Sequence, residues 1–383
     1  MVIINIDLRP WAIYNDNPLN TTEIWAAIND TNALRAHYTR LKNYYWGKHD
    51  ILLRSYTDPS KPNNRNVLNY CAQITDFYQS YIVGEPVTYE GIDEATAAIF
   101  EDSDEPTQMF NTAKNLCNFG AAAEIFYIKD GKKKFRAVEP EEIIPILSTD
   151  IEHELVGFIR LYSVGKDSFV DYYTATTMQH HLIESGALRL QDTGNHGFNQ
   201  PPIAWYKADK GVFEQLIGIQ DAINSLCSDT VNDFEAIVDS LLVIPGHMDT
   251  DPDKILRMKQ NRVLLTAEET KPYWLEKTAD RSFGHSILDR FVFLMKEKSG
   301  LPDMEKLGSF GASGRSLQFK LTVTDIVAQA LERSLIKGIK ERFLILGATE
   351  PEIIFSRNFI IEEQNEAEPP PGGDSNKHLL TPP

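Results

Sequence analysis

The sequence is short of basic residues. Its 383 residues include 38 Lys and Arg against 55 Asp and Glu, which gives a formal net charge of −17 at pH 7. A protein that binds nucleic acid tightly needs a basic surface to offset the phosphates, so this balance argues against that class. Because 42% of the residues are hydrophobic, the chain can still bury one large core or two to three smaller ones. We expect a globular protein.

Cysteine is also scarce. Cys71, Cys117 and Cys227 are far apart and lie in helical patterns, not at the spacings of a disulfide framework or a zinc site. We expect them to be buried apolar residues. The N-terminus lacks a basic region followed by an apolar core, and no run approaches 18 apolar residues. We therefore expect neither a secretory signal nor a membrane span.

The usual catalytic and phosphate-binding motifs are missing. The glycine cluster GSFGASGR (308–315) is not followed by Gly-Lys-Ser/Thr at the spacing of a phosphate loop, and neither Gly-x-Ser-x-Gly nor His-Glu-x-x-His occurs. His180 and His181 are neighbours in a β-like run and should point to opposite faces, so they cannot easily share a metal. His196 is expected to be a turn residue. We expect no enzymatic activity, no cofactor and no metal site.

Helical and β-like patterns occur in separate blocks, which predicts an α+β fold. Helical spacing covers residues 31–46, the stretch before Gly84, and 106–119, where Gly120 ends the helix. From AEIFYIKDGKKKFRAV (123–138) through MQHHLIE (178–184) the pattern becomes β-like, and Asp130-Gly131 is the signature of a hairpin turn. This stretch predicts an antiparallel sheet module of about 100 residues.

The next helix carries unbalanced charge. In GIQDAINSLCSDTVNDFEAIVDSLLVIPG (218–246) an apolar stripe is predicted to be buried, namely Ile219, Ile223, Leu226, Phe234, Ile237 and Leu241. Six carboxylates are predicted on the opposite side: Glu214, Asp221, Asp229, Asp233, Glu235 and Asp239. No Lys or Arg occurs from 211 to 246, so we expect this acidic face to be uncompensated. The alternative is an ordinary solvated face in an acidic protein.

The last third holds two more helical stretches. A small module with strand-like RVLLT and PYWLE (247–278) precedes a helical pattern in FGHSILDRFVFLMKEKSG (283–300), and the glycine-rich segment after it is expected to be mobile. A long helix then runs without proline to Gly347. IIFSRNFIIE is a predicted strand, and the proline-rich remainder is expected to be disordered.

The order of these segments resembles the portal proteins of tailed bacteriophages, in particular the branch grouped with Gram-positive phage portals. NYCAQITDFYQSYIVGEPVTYEG is similar to an early helix of that family, and HGFNQPPIAWY to a strand entry. The acidic helix resembles a family helix with matches at Asp221, Asn224, Ser228, Asn232, Asp233 and Glu235. SGRSLQFKL and IIFSRNFII are similar to a loop-to-helix junction and a late strand. The resemblance covers about residues 20–362 in a consistent order.

The resemblance implies a portal-like fold with long stem and tunnel helices, an antiparallel wing sheet and a small clip, assembled as a ring. The implied segments are a wing region (1–210), a stem helix (211–246), a clip (247–278), a second stem helix (279–302), a tunnel loop (303–315), a long wing or tunnel helix (316–346), a late wing strand (347–362) and a disordered tail (363–383). The ring, usually of twelve subunits, is expected at one capsid vertex of the virion and assembled in the host cytoplasm. It would serve genome packaging, retention and ejection.

The resemblance also implies partners and two functional surfaces. The expected partners are further copies of the chain, the terminase large subunit, capsid and scaffold proteins, head-tail connector proteins and translocating double-stranded DNA without sequence specificity, but no membrane. The tunnel loop would comprise Lys306, Gly308, Ser309, Phe310, Gly311, Ala312, Ser313, Gly314 and Arg315. The acidic stem face would comprise Asp221, Asp229, Asp233, Glu235 and Asp239, and would repel phosphates so that DNA can slide.

Two other classes stay open on the residues alone. Asp229 and Asp233 lie one helical turn apart, and with a third acid they could hold a divalent cation in a metal-dependent nucleic-acid enzyme. A structural adaptor that forms no ring is the other possibility. The convergence of three acids would favour the enzyme, whereas the mass in solution separates the ring from the adaptor.

Overall fold

The structure, a computed structural model, describes residues 11–13, 18–58, 61–238, 241–245, 263–266, 273–275, 281–302 and 314–356. Five helices dominate the first 120 residues: α1 (Thr21–Asp30), α2 (Asn32–Tyr45), α3 (Tyr70–Val83), α4 (Glu94–Ser103) and α5 (Glu105–Phe119). The helices predicted over 31–46, before Gly84 and over 106–119 are confirmed as α2, α3 and α5. Gly120 ends α5 with a positive φ of 68°, as its role as a helix terminator requires.

Sequence patterns missed α1 and α4. At the start of α1, Asn20 accepts hydrogen bonds from the backbone N–H groups of Thr22 and Glu23, while the Glu23 carboxylate accepts from the Asn20 N–H. Asp93 caps α4 by accepting from the Thr96 N–H. Both are standard N-terminal signals that satisfy otherwise unpaired backbone donors. They could therefore have been identified from the sequence.

The β-like middle region forms two sheets. A three-stranded antiparallel sheet has the order β10 (Ile203–Lys207), β3 (Ala121–Lys129), β4 (Lys132–Val138). Asp130 and Gly131 join β3 to β4 with φ values of 52° and 75°, the left-handed conformation of a two-residue hairpin turn. The predicted hairpin is confirmed.

The second sheet has six strands in the order β1 (Trp11–Ile13), β5 (Ile143–Ser148), β6 (Leu155–Val164), β7 (Asp167–Tyr173), β8 (Thr177–Glu184), β9 (Ala187–Asn195). From β5 to β9 all neighbours pair antiparallel, and only the β1–β5 pair is parallel. The predicted antiparallel pairing is thus confirmed, although the strands form two sheets and not one.

A small mixed sheet follows the acidic helix. That helix, α6 (Ile217–Val238), ends before β11 (Leu241–Pro245), which pairs parallel with β12 (Val263–Thr266) and antiparallel with β13 (Tyr273–Leu275). The expectation that the helix continues to residue 246 is therefore wrong. The apolar run LLVIP suits a strand because Val and Ile favour extended backbone. Its backbone hydrogen bonds go to β12 and β13, and helical spacing in the sequence cannot reveal such pairing. The strand-like readings of RVLLT and PYWLE are confirmed.

Two helices complete the described part. The helix predicted over 283–300 is confirmed as α7 (Arg281–Ser299), which begins two residues earlier, and the long helix is α8 (Gly314–Leu346). At 33 residues, α8 is about 50 Å long. The predicted late strand is confirmed at its first two residues only: β14 (Glu352–Ile354) pairs antiparallel with β2 (Thr88–Glu90), whereas Phe355 and Ser356 are not in a strand and 357–362 lie outside the described residues. The proposed disordered tail lies outside the described residues.

The main hydrophobic core lies between the helices and the β10–β3–β4 sheet, and a second cluster lies between α1 and the six-stranded sheet. Cys71 and Cys117 are buried in the main core, as predicted, whereas Cys227 is half-buried. Burial raises the pKa of the Cys71 and Cys117 thiols to about 12. The two thiols therefore stay protonated and behave as apolar side chains.

Candidate functional site

The acidic face of α6 is partly compensated by bases from a distant part of the chain. Asp229 accepts a hydrogen bond from Arg54 Nη1 at 2.7 Å, in an ion pair. Asp221 accepts from the Tyr44 hydroxyl at 2.7 Å and lies 4.0 Å from Arg40. The expectation of an uncompensated face is wrong for these two carboxylates, because their partners lie more than 170 residues earlier in the sequence.

Burial and local hydrogen bonds oppose each other at these acids. Desolvation raises the pKa of Asp221 despite the hydrogen bond from Tyr44. At Glu214, which lies just before α6, burial also raises the pKa, but hydrogen bonds from His37 and the Gly211 N–H outweigh it and leave the pKa lowered. His37 Nε2 lies 3.0 Å from the Glu214 carboxylate. Glu214 is therefore an internal contact of the fold.

The remaining predicted acids lie toward the end of α6. Asp233 is half-buried and has an interaction partner. Glu235 is exposed, and Asp239 lies outside the described residues. The side of α6 that reaches solvent in this part of the helix also carries Phe234, which is 60% exposed. The predicted burial of the apolar stripe is thus correct for Ile223 but wrong for Phe234.

Polar residues form much of the buried face of α6. Gln220, Asn224 and Ser228 are completely buried and occur every four residues. Their side-chain oxygens accept hydrogen bonds from the backbone N–H groups of Tyr70, Leu68 and Asn66 at 2.9–3.0 Å. One turn further, Asn232 accepts from the Asn64 N–H at 2.8 Å. We call these four side chains of α6 the polar ladder.

The polar ladder works because two repeats coincide. Four residues of helix rise about 6.0 Å, and two residues of extended chain span about 6.6 Å. Every fourth helix side chain can therefore reach every second backbone N–H of the segment 64–70. Buried amide and hydroxyl groups are tolerated where each has a hydrogen-bond partner, so the helix binds this segment much as a neighbouring strand would.

The polar ladder also explains part of the portal-like motif. Asn224, Ser228 and Asn232 are motif positions, and all three hold the extended segment. Asn224 Nδ2 additionally lies 2.7 Å from His49 Nδ1. Apolar periodicity could not identify this face, but polar residues repeating every four positions on a helix were a usable signal.

The proposed tunnel loop is described at its end only. Lys306 and residues 308–313 lie outside the described residues. Gly314 and Arg315 are the first residues of α8 and not part of a loop, which corrects their assignment. The helix therefore begins two residues earlier than predicted, as glycine is tolerated at a helix start.

Helix α8 is held in the core by a buried ion network that sequence analysis missed. Arg342 has no exposed side-chain surface, and it donates two hydrogen bonds to Glu124 on β3, at 2.8 and 3.0 Å, and one to Glu105 on α5 at 2.8 Å. Burial alone would lower the pKa of Arg342, but the carboxylates raise it well above its usual value. Four residues earlier, a Cβ at Gly338 would lie 2.2 Å from the Tyr206 ring, so this close crossing requires glycine.

The predicted histidines have structural contacts. His180 Nδ1 lies 2.6 Å from the Asp171 carboxylate, whereas His181 is buried, as expected for neighbours on opposite faces of a strand. His196 lies in the turn after β9, where its Nδ1 accepts from the Phe198 N–H. In the described part of the chain, no three His, Cys, Asp or Glu side chains form a group that could hold a metal ion. Asp229 contacts Arg54 and Asn232 and does not join an acidic cluster there.

No helix within the described ranges is long and apolar enough to cross a membrane.

Comparison with known proteins gives consistent matches. A family model described as phage portal protein, SPP1 Gp6-like, matches residues 26–351. The portal protein of Clostridium phage phiCD119 is 24% identical over 404 residues, covering 90% of this chain and 88% of that protein. The portal protein of Bacillus phage SPP1 is 21% identical over 332 residues, covering 78% of this chain and 64% of that protein.

Two solved structures show a more distant likeness. One is from the neck of an empty gene transfer agent particle, with a TM-score of 0.44, 10% identity and 85% coverage of both chains. The other is from the virion of a native gene transfer agent particle, with a TM-score of 0.45, 9% identity and coverage of 84% of this chain and 83% of that chain.

Proposed function

This chain belongs to the SPP1 Gp6-like family of phage portal proteins, and from that premise we propose that its copies close into a ring around a channel for double-stranded DNA. The portal role itself follows from the family, whose members are structural components and not enzymes. The proposed ring has the twelve subunits usual for portals. The observation that carries it is the family match over residues 26–351.

The order of elements supports a division of the chain. Helices α6 and α7 contact each other and flank the three-stranded sheet of β11, β12 and β13. This arrangement fits a stem of two helices with a clip between them. We assign the stem to 211–238 and 279–302 and the clip to 241–278, because β11 belongs to the small sheet. Helix α8 and the segments 1–210 and 347–362 would form the wing, and 303–313 the tunnel loop.

The acidic face would act on DNA through the carboxylates that have no role inside the subunit. Asp221 and Asp229 contact Tyr44 and Arg54, which reduces their field at the surface. Glu235 is exposed, and Asp239 is the fourth residue after it in the sequence. Repeated around a ring, these acids would repel phosphates over about 8 Å at physiological salt, so that DNA slides without being held.

The proposed partners follow from this role. The clip would meet the terminase large subunit during packaging and head-tail connector proteins afterwards, whereas the wing would meet capsid and scaffold proteins. The ring would occupy one capsid vertex after assembly in the host cytoplasm. A small sheet between two helices suits docking because the outer edges of β12 and β13, which pair with no further strand among the described residues, can accept strands or loops from a partner.

Electron microscopy of the purified full chain tests the ring. We expect closed rings with a central channel and a mass many times 43.4 kDa. A monomer at all protein and salt concentrations would contradict the proposal and favour the adaptor without a ring.

The channel role is tested with a Glu235→Lys, Asp239→Lys double variant and a matched Glu235→Gln, Asp239→Asn control. Lys is at least as good a helix former as these acids, so the ring should persist. The lysine ring should bind DNA with a steep salt dependence and slow its translocation, since each added base can contact phosphate. Unaltered DNA affinity and packaging rate would assign the acidic face to solvent or to a subunit contact.

A further inference from the structure

One side of α8 is exposed along most of the helix. Every position reached in alternating steps of three and four residues from 323 to 344 is exposed, which is the spacing of a continuous helix face. The opposite side is buried at the same spacing and includes Leu321, Ala328, Leu331 and Leu335. We call the exposed side from 323 to 344 the α8 stripe.

The α8 stripe begins and ends with apolar side chains. Val323 is 55% exposed, Ile326 62% and Leu344 67%, and the small Ala330 lies between them. An aligned set of exposed large aliphatic side chains on one helix face is characteristic of a protein contact. A DNA-binding face would instead be polar and basic throughout.

The middle of the α8 stripe is basic. It carries Arg333, Lys337 and Lys340 and no acid. Lys340 forms an ion pair with Glu350 at 2.5 Å. Within the described ranges, neither Arg333 nor Lys337 is in a hydrogen bond or ion pair, although Lys337 lies close enough to Glu341 on the same helix to offset part of the rise that burial causes in the pKa of that acid. A basic stripe is unusual on a chain with a formal net charge of −17, so the stripe complements the rest of this chain's surface.

We propose that the α8 stripe is a contact surface for a second copy of the chain, with the apolar ends buried and Arg333 and Lys337 facing acids of the neighbour. The exposed part of α6 offers an apolar side chain that such a contact would cover, since Phe234 is 60% exposed there, and the net charge of −17 supplies acids for the two cations. Such a contact joins different patches on two copies, which is the head-to-tail interface that a ring requires. Opposite charges across it would fix orientation and exclude wrong pairings. This inference rests on the proposed ring.

Charge reversal tests the contact. Arg333→Glu combined with Lys337→Glu should raise the protein concentration at half-assembly by about tenfold or more, because like charges across an interface are strongly unfavourable. A matched Lys129→Glu, Lys166→Glu variant changes the charge equally at two exposed hairpin positions and should assemble normally. Native mass spectrometry across a dilution series measures both. Circular dichroism and thermal unfolding of the dissociated subunits verify that each variant is folded.

Amine labelling of the unmodified chain is an independent test that needs no variant. Lys337 should react more slowly in the assembled ring than in dissociated subunits, whereas Lys166 should react equally in both. Protected Lys337 together with weakened assembly supports the contact. The contact is overturned if the protein concentration at half-assembly is unchanged after charge reversal, or if Lys337 is labelled equally in both states. Loss of salt-dependent DNA binding in an intact charge-reversed ring would assign the stripe to DNA instead. A wild-type chain that never assembles refutes the ring itself.

Discussion

Helices α6 and α8 are both long, but they are attached to the fold by different chemistry. Helix α6 buries neutral side chains, and its polar ladder accepts backbone N–H groups from an extended segment. Helix α8 buries mainly aliphatic side chains and one charge, Arg342, between two carboxylates. The charges that reach the surface differ too: bases from early in the chain contact the acids of α6, whereas Arg333 and Lys337 on α8 form no ion pair among the described residues, where Lys337 lies near Glu341 of its own helix. The acids of α6 thus form contacts within the subunit, whereas the bases of α8 can form contacts with a neighbouring subunit.

The largest expected effect is on the attachment of α8. Arg342→Met should lower the free energy of unfolding by about 3–5 kcal/mol, because it leaves Glu124 and Glu105 buried without their partner. Arg189→Met is the matched control, since it removes an exposed ion pair with Glu184 and should cost at most about 1 kcal/mol. Urea unfolding of both variants measures the difference. Similar midpoints for the two would show that burial of the network contributes little.

The attachment of α6 should be weaker at any one position. Asn224→Leu keeps the approximate volume but removes the acceptor for the Leu68 N–H, and it should cost about 1–3 kcal/mol. The same variant should speed amide hydrogen exchange at Leu68 and at neighbouring ladder positions. Ser225→Ala, one position along the helix, should leave that exchange unaltered. If exchange at Leu68 is the same in both variants, the ladder does not hold the segment.

A smaller effect is expected for the ion pair between Arg54 and Asp229. A double-mutant cycle with Arg54→Gln and Asp229→Asn should give a coupling of about 0.2–1 kcal/mol, because Asp229 is half-exposed and solvent screens the pair. The coupling should shrink in high salt. If the coupling is absent at low salt, Arg54 does not neutralise Asp229, and Asp229 would count among the acids that repel DNA.

The smallest effects concern pH, and the two acids near the start of α6 should respond in opposite directions. The pKa of Asp221 is raised above its usual 3.8 by burial, so the unfolded chain loses this proton first and stability falls as pH rises through that window. The pKa of Glu214 is lowered from its usual 4.5, so its contribution is present above 4.5 and is lost as pH falls.

Urea midpoints from pH 3 to 6 measure both effects. Relative to the unmodified chain, Asp221→Asn should gain stability as the pH rises, whereas Glu214→Gln should gain it as the pH falls. Both changes should be small because the two side chains are partly solvated. The same slope for both variants would contradict the contrast between burial at Asp221 and hydrogen bonding at Glu214.

Much of the fold was predictable where the signal is local. Gly120 ends α5, Asp130-Gly131 turns a hairpin, and helical spacing placed α7 within two residues of its observed bounds. The candidate site was predictable only in part. The acidic helix was located and the portal-like motif pointed to Asn224, Ser228 and Asn232, whereas the glycine-rich segment before Gly314 lies outside the described residues. Their role as acceptors for an extended segment was missed because apolar periodicity treats a buried polar face as solvent-exposed.

The sequence alone therefore indicated the α+β class, most of the long helices, the hairpin turn and the resemblance to the family, since helix periodicity, turn residues and motif order act over short stretches of chain. Only the tertiary structure decided which surfaces remain available. Arg54 reaches Asp229, Arg342 reaches Glu124, and LLVIP finds two strand partners. The side-chain partners are separated by 175 and 218 residues. Folding brings such groups together when the cores form. Only then is it decided whether a charged side chain on a helix pairs within the subunit or remains exposed to a neighbour.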